Sequence, residues 1–104
     1  MLESKIEAKL KKRVEEEAPG AACLKFVSPG SAGVPDRIIL VPGGRVIFAE
    51  TKQPGKKPTP RQARVHIKLR NLGFTVFGCV DSDEEIEHVA KYCKYLLKVW
   101  EVSR

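Results

Sequence analysis

Several protein classes need residues that this chain has little of. Its three cysteines, Cys23, Cys79 and Cys93, show no short C-x-x-C spacing. An odd, scattered set of this kind reads as reduced, mostly buried thiols and not as a disulfide framework. The two histidines, His66 and His88, pair with no cysteine at zinc-finger spacing, which argues against a structural zinc site. Both read as surface or partly buried helical residues that no mechanism needs. No apolar run is long enough to cross a membrane. The first residues, Met1-Leu2-Glu3-Ser4-Lys5, open a charged amphipathic stretch where a signal sequence would be apolar. The expectation is a soluble, cytoplasmic protein. Internal repeats, linkers and low-complexity tracts are also missing.

The 104 residues fit one domain spanning 1–104. Hydrophobic residues at 42% suffice for a core, although a domain this small gains from oligomerisation. Nineteen Lys+Arg against thirteen Asp+Glu leave a net charge of +6, which favours a polyanionic partner such as nucleic acid. Leu2, Ile6, Leu10 and Val14 recur at four-residue steps and predict an amphipathic helix ended by Pro19-Gly20. Ala21 to Val27 reads as a strand, followed by the turn-rich Ser28 to Gly33. Arg37–Val41 and Arg45–Lys52 flank Pro42-Gly43-Gly44 as a β-hairpin. Thr59-Pro60-Arg61-Gln62 opens a second helix with a capping box, running to Leu72. A strand from Phe74 to Val80 and a long helix opened by Ser82 complete the chain. The fold class is α/β, one mixed sheet with helices against it.

Three residues on the hairpin carry chemistry. Glu50 and Lys52, two apart on one strand, project from the same face. If the three-residue loop pairs Val41 with Arg45, Asp36 lies opposite Glu50, and two carboxylates and an ammonium converge at one end of the hairpin. Cleaving a phosphodiester requires an activated water and neutralised charge at phosphorus. A hard divalent cation such as Mg²⁺ supplies both and takes oxygen ligands. Asp36 and Glu50 offer them, and the Thr51 carbonyl offers another. Lys52 suits orienting the attacking water or neutralising the phosphate. Taken alone, Glu-x-Lys on a strand also fits a solvated face, and Asp after Pro fits a turn.

Gly33-Val34-Pro35-Asp36-Arg37, then Glu50-Thr51-Lys52, then Pro60-Arg61-Gln62, resembles the VRR-NUC family, the virus-type replication-repair branch of the PD-(D/E)xK nucleases. The resemblance runs from about Glu3 to Val80. It implies a restriction-endonuclease-like core and Mg²⁺- or Mn²⁺-dependent hydrolysis of DNA, often branched. Stand-alone members of this length resemble Holliday-junction resolvases and occur in phages and prophages. The family also implies a further acidic group on the first helix, for which Glu7 is the choice and Glu3, one turn earlier, the rival. It implies that a Gln at position 62 reaches the active centre. Gln62 shares a helix face with Val65, Leu69 and Leu72, which suits that role, while its capping-box role is the structural alternative.

A path for phosphates is expected along Lys56 and Lys57, then Arg61, Arg64 and Lys68 on one helix face, with Lys25 a weaker candidate. Ser28–Gly33 reads as a flap over the substrate or as a long turn. Symmetric cutting of a junction needs two centres, so a homodimer is expected, with an apolar surface on the last helix (Tyr92, Tyr95, Leu96, Trp100) as one possible contact. Two competing functions stand beside the nuclease: a non-catalytic nucleic-acid-binding protein on the same scaffold, and a protein-interaction subunit whose charge is incidental.

Overall fold

The apolar stripe of the first helix, Ile6, Leu10 and Val14, is wholly buried in the computed structural model, which describes residues 1–104. The chain runs α1 (Glu3–Glu17), β1 (Ala22–Lys25), β2 (Arg37–Val41), β3 (Arg45–Thr51), α2 (Pro60–Asn71), β4 (Thr75–Val80) and α3 (Asp83–Ser103). One four-stranded sheet has the order β1-β2-β3-β4. The first three strands meander antiparallel, and β4 lies parallel to β3 because α2 crosses between them. The strand-and-helix order matches the expectation; the first strand is shorter, ending at Lys25. Only one further ladder bond follows, from the Phe26 amide to the Asp36 carbonyl at 2.9 Å, before the chain enters its turn.

Strand alternation sorts the sheet into two unlike faces. Cys23, Ile39, Val41, Ile47, Ala49 and Val80 point into the core beneath α1 and α3. The opposite face carries Phe26, Phe48 and Phe74, with ring centroids 5.6 and 5.5 Å apart, and leaves Leu24 and Leu40 exposed. α2 packs beside β4 and Glu50 on this second face. The last helix spends most of its apolar residues inward: Leu96 is in the core, Tyr92 stacks edge-on with Phe77, and Tyr95 stays exposed.

α1 is tied to α3 by charge as well as by packing. Arg13 donates to both carboxylate oxygens of Glu87, at 2.7 and 2.9 Å, and to Glu16 and Glu17 on its own helix. Lys9 meets Asp83 at 2.7 Å. These contacts set the rotation of α1 over the sheet, and so the positions of Glu3 and Glu7. The hairpin loop closes against the end of α3. Gly43 has φ +98°, and a Cβ there would lie 2.6 Å from the Trp100 indole, so the turn needs glycine on both counts.

Candidate active site

The β2–β3 ladder pairs Val41 with Arg45 and ends at Arg37 with Ala49. Asp36 and Glu50 follow one step beyond the last pair, at the mouth of the hairpin. Between β3 and β4 the pairing jumps from Ala49–Phe77 to Thr51–Val80, a bulge that puts the extra residue on β4 at Gly78–Cys79. Glu50 therefore lies in the irregular interval, where the ladder opens beside α2. The Lys52 amide rejoins β4 by donating to the Val80 carbonyl at 3.0 Å.

Thr51 determines how Asp36 sits. Its amide donates to Asp36 Oδ1 at 3.0 Å and its hydroxyl donates to Oδ2. Thr51 was expected to take part through its carbonyl; the contacts seen are through its amide and hydroxyl. Burial raises the Asp36 carboxyl above its ordinary range; the Thr51 bonds oppose the rise and Glu7 adds to it.

Glu50 is 4% exposed. Its Oε2 accepts from the Gln62 side-chain amide at 3.4 Å and lies 3.7 Å from Lys52 Nζ. Its Oε1 has no hydrogen-bond partner. Burial pushes the Glu50 carboxyl up to about 7, with Asp36 and Glu3 adding to the rise and Lys52 opposing it. Gln62 fills both positions open to it. Its Oε1 accepts from the Thr59 amide at 2.9 Å, closing the capping box, while its Nε2 turns to Glu50.

Glu3, Glu7 and Asp36 each bring a carboxylate oxygen to within 4.8 Å of the others. Both candidate helix residues thus reach the site, with different surroundings. Glu7 is held by Arg37 at 3.2 Å and by Lys25 at 2.8 Å. Glu3 lines a cleft of about 410 Å³ with Lys52, Gln53, Lys56, Lys57 and Thr59. Lys25, expected on the phosphate path, is half-exposed and paired with Glu7. Lys56 and Lys57 are exposed at the cleft. Arg61, Arg64 and Lys68 are exposed on α2 and line no cleft. Gly33, at φ +89°, packs against Arg61 and Val65, so the end of the Ser28–Gly33 turn is anchored to α2.

His66 corrects the sequence reading. Expected as a surface or partly buried residue that no mechanism needs, it is 2% exposed and the most buried residue of α2, with Nε2 4.0 Å from Glu50 Oε1. Burial lowers its pKa, as do Arg70 and Lys52. The signal was its place one turn after Gln62. Leu72, expected to face inward, is 66% exposed because the helix ends at Asn71. His88 is exposed beside Glu85.

The donor set suits a hard divalent cation. Three carboxylates, Glu3, Glu7 and Asp36, gather, and the Glu50 carboxyl, whose rise Asp36 and Glu3 add to, keeps one buried oxygen unsatisfied. No protein-family model matches the chain. A solved VRR_NUC domain superposes with a TM-score of 0.77 at 30% identity, over 86% of this chain and 95% of that one. The chain belongs to the VRR-NUC family. "Putative nuclease p44" of Acyrthosiphon pisum secondary endosymbiont phage 1 is 54% identical over 57 residues. That match covers 55% of this chain and 61% of the phage protein's length, less than two thirds of it. No helix of this VRR-NUC protein is long and apolar enough to cross a membrane.

Proposed function

We propose that this VRR-NUC protein is a divalent-metal-dependent endonuclease that hydrolyses DNA phosphodiesters at branched structures, in the manner of a Holliday-junction resolvase. The observation that carries it is Glu50: a buried carboxylate with one oxygen unsatisfied, set between Lys52, Gln62 and the Glu3–Glu7–Asp36 cluster. A surface ion pair would not be built this way. Burying a carboxylate beside other carboxylates is costly unless a cation completes the site.

Asp36, Glu50 and Glu7 would hold Mg²⁺ or Mn²⁺, with Glu3 and Thr51 beside them. Bound there, the cation would lower the pKa of a water and neutralise charge on the phosphate. The rest falls to the chain's own groups. Lys52, almost buried and 3.7 Å from Glu50, can orient the attacking water or balance charge at the phosphoryl oxygens. Gln62 fixes the Glu50 carboxylate from the helix side. Thr51 keeps Asp36 from rotating. Lys56 and Lys57 flank the cleft and suit the neighbouring phosphates, with Arg61, Arg64, Lys68 and Lys25 further out.

Two strands of a junction need two centres, so the working unit is proposed to be a homodimer in the host cytoplasm. Tyr95, Val99 and Val102 on α3 are exposed and suit such pairing, and the sheet face adds Leu24, Leu40 and Phe74 as a second apolar patch.

The test is cleavage of labelled four-way junction, flap and linear duplex with Mg²⁺ or Mn²⁺, beside chelator and Glu50→Ala controls. Symmetric junction nicks that vanish with either control are expected. Cutting flaps or duplex alone would retain the nuclease and remove the resolvase. Binding without cleavage under both metals would favour a non-catalytic binding protein.

A further inference from the structure

Two buried side-chain polar atoms have no hydrogen-bond partner, Glu50 Oε1 and His66 Nε2, and they face each other across 4.0 Å. Native proteins carry few such groups, because each is desolvated without return. Here each is what the other lacks. A neutral imidazole has one N–H to give, and a carboxylate oxygen accepts it. The separation exceeds an ordinary N–H···O bond by only about 1 Å.

The two edges of the ring have different surroundings, the edge away from Glu50 bordering a cavity of about 560 Å³ lined also by Arg70 and Gly78. Its Nδ1 edge lies on Gly78, where a Cβ would stand 3.1 Å from Nδ1 and 3.2 Å from Arg70 Nη2. Arg70 itself is held by donating to the Val76 carbonyl at 2.8 Å. Glycine at the β4 bulge therefore makes the slot in which the imidazole lies, with Nε2 turned to β3. On Glu50 the second oxygen, Oε2, already has Gln62 and Lys52. The two carboxylate oxygens are served from different sides, and the side facing His66 has no other donor.

We propose that His66 is a positioning residue whose Nε2–H holds Glu50 Oε1 and fixes the orientation in which Glu50 meets a divalent cation. The inference rests on the metal-centre reading given above. Carboxylates that bind metals are themselves held by hydrogen bonds, and losing such a support typically weakens metal affinity about 10- to 100-fold. A histidine serving only to fill space would be replaced by leucine without that loss.

The experiment is calorimetric titration of the full chain with Mn²⁺ alone, without DNA, for the parent, His66→Leu and His66→Gln. The amide nitrogen of glutamine can stand near the place of Nε2. Mn²⁺ affinity is expected to fall about 10- to 100-fold in His66→Leu and to stay within about threefold of the parent in His66→Gln. Equal affinity in parent and His66→Leu would overturn the proposal. So would an equal loss in both folded variants, because the donor would then be irrelevant. A parent that binds no Mn²⁺ would overturn the metal-centre reading itself, a result distinct from the other two. Should the variants fail to fold, nitrogen NMR of the parent decides. The proton of the His66 ring is expected on Nε2, with and without Mg²⁺; a proton on Nδ1 would overturn the assignment. His88→Gln separates the two ring signals.

Discussion

Thr51 grips Asp36 by both carboxylate oxygens, its amide on Oδ1 at 3.0 Å and its hydroxyl on Oδ2. Two adjacent strands thereby lock a carboxylate that burial would otherwise push toward its neutral form. Thr51 is wholly buried, so Thr51→Val keeps the shape and the amide bond and removes only the hydroxyl. The expected cost is about 1–3 kcal/mol, since the acceptor left behind is charged and partly buried. It should appear as a lower urea midpoint at unchanged slope, with slower cleavage. Thr51→Ser, which restores the donor, should recover most of both.

Lys56 and Lys57 stand exposed at the cleft that holds Lys52 and Glu3. Removing their charge should weaken DNA binding without unfolding the protein. In Lys56→Ala and Lys57→Ala the logarithmic salt dependence of binding is expected to become shallower by about one for each phosphate no longer neutralised. Binding titrations at a series of salt concentrations measure this. A slope equal to the parent's in the double variant would remove these lysines from the phosphate path.

Gly43 turns the hairpin directly against Trp100, at φ +98°. Gly43→Ala should destabilise by about 1–2 kcal/mol from the left-handed backbone alone, with more from the indole 2.6 Å away. Gly44 has φ +77° but open space around it, so Gly44→Ala isolates the backbone part. Thermal unfolding of the two variants should place Gly43→Ala clearly lower. Similar melting temperatures would mean that Trp100 moves aside freely.

The hairpin was legible because its signals are local: runs rich in β-branched residues, a Pro-Gly-Gly turn, and a loop length that sets the register and brings Asp36 to Glu50. The second helix was legible for the same reason, through a capping box whose every member is within four residues. What escaped depends on distant partners. Helix periodicity placed Glu3 and Glu7 on neighbouring turns, and only the family resemblance pointed Glu7, with Glu3 as rival, at the site; their meeting with Asp36 depends on the packing of α1 against α3. Lys25 read as a free cation because nothing local reveals Glu7 across 18 residues of chain. His66 read as a surface or partly buried helical residue with no part in the mechanism. Its burial comes from the bulge at Gly78–Cys79, which opens a slot in a neighbouring strand and leaves no periodic trace.

Glu50 sets a conflict between stability and function that pH should expose. Its carboxyl is raised from 4.5 to about 7, so the folded chain holds this proton more tightly than the unfolded chain. With the unfolded state binding fewer protons, metal-free stability must fall as pH rises between those two values. The span corresponds to a few kcal/mol at most, on the order of 3. Asp36, raised for the same reason, adds a loss of the same sign at lower pH. Glu50→Gln cannot ionise. In chelator at about pH 8, above the raised pKa, it should therefore melt at a higher temperature than the parent, and near pH 4.5 the two should converge. Adding Mg²⁺ should raise the parent's melting temperature and leave the variant nearly unmoved, because only the parent offers the full carboxylate set. Cleavage by the variant should be lost. If the parent instead melts higher than Glu50→Gln under those alkaline, metal-free conditions, Lys52 alone compensates the buried carboxylate, and the need for a cation at this site disappears.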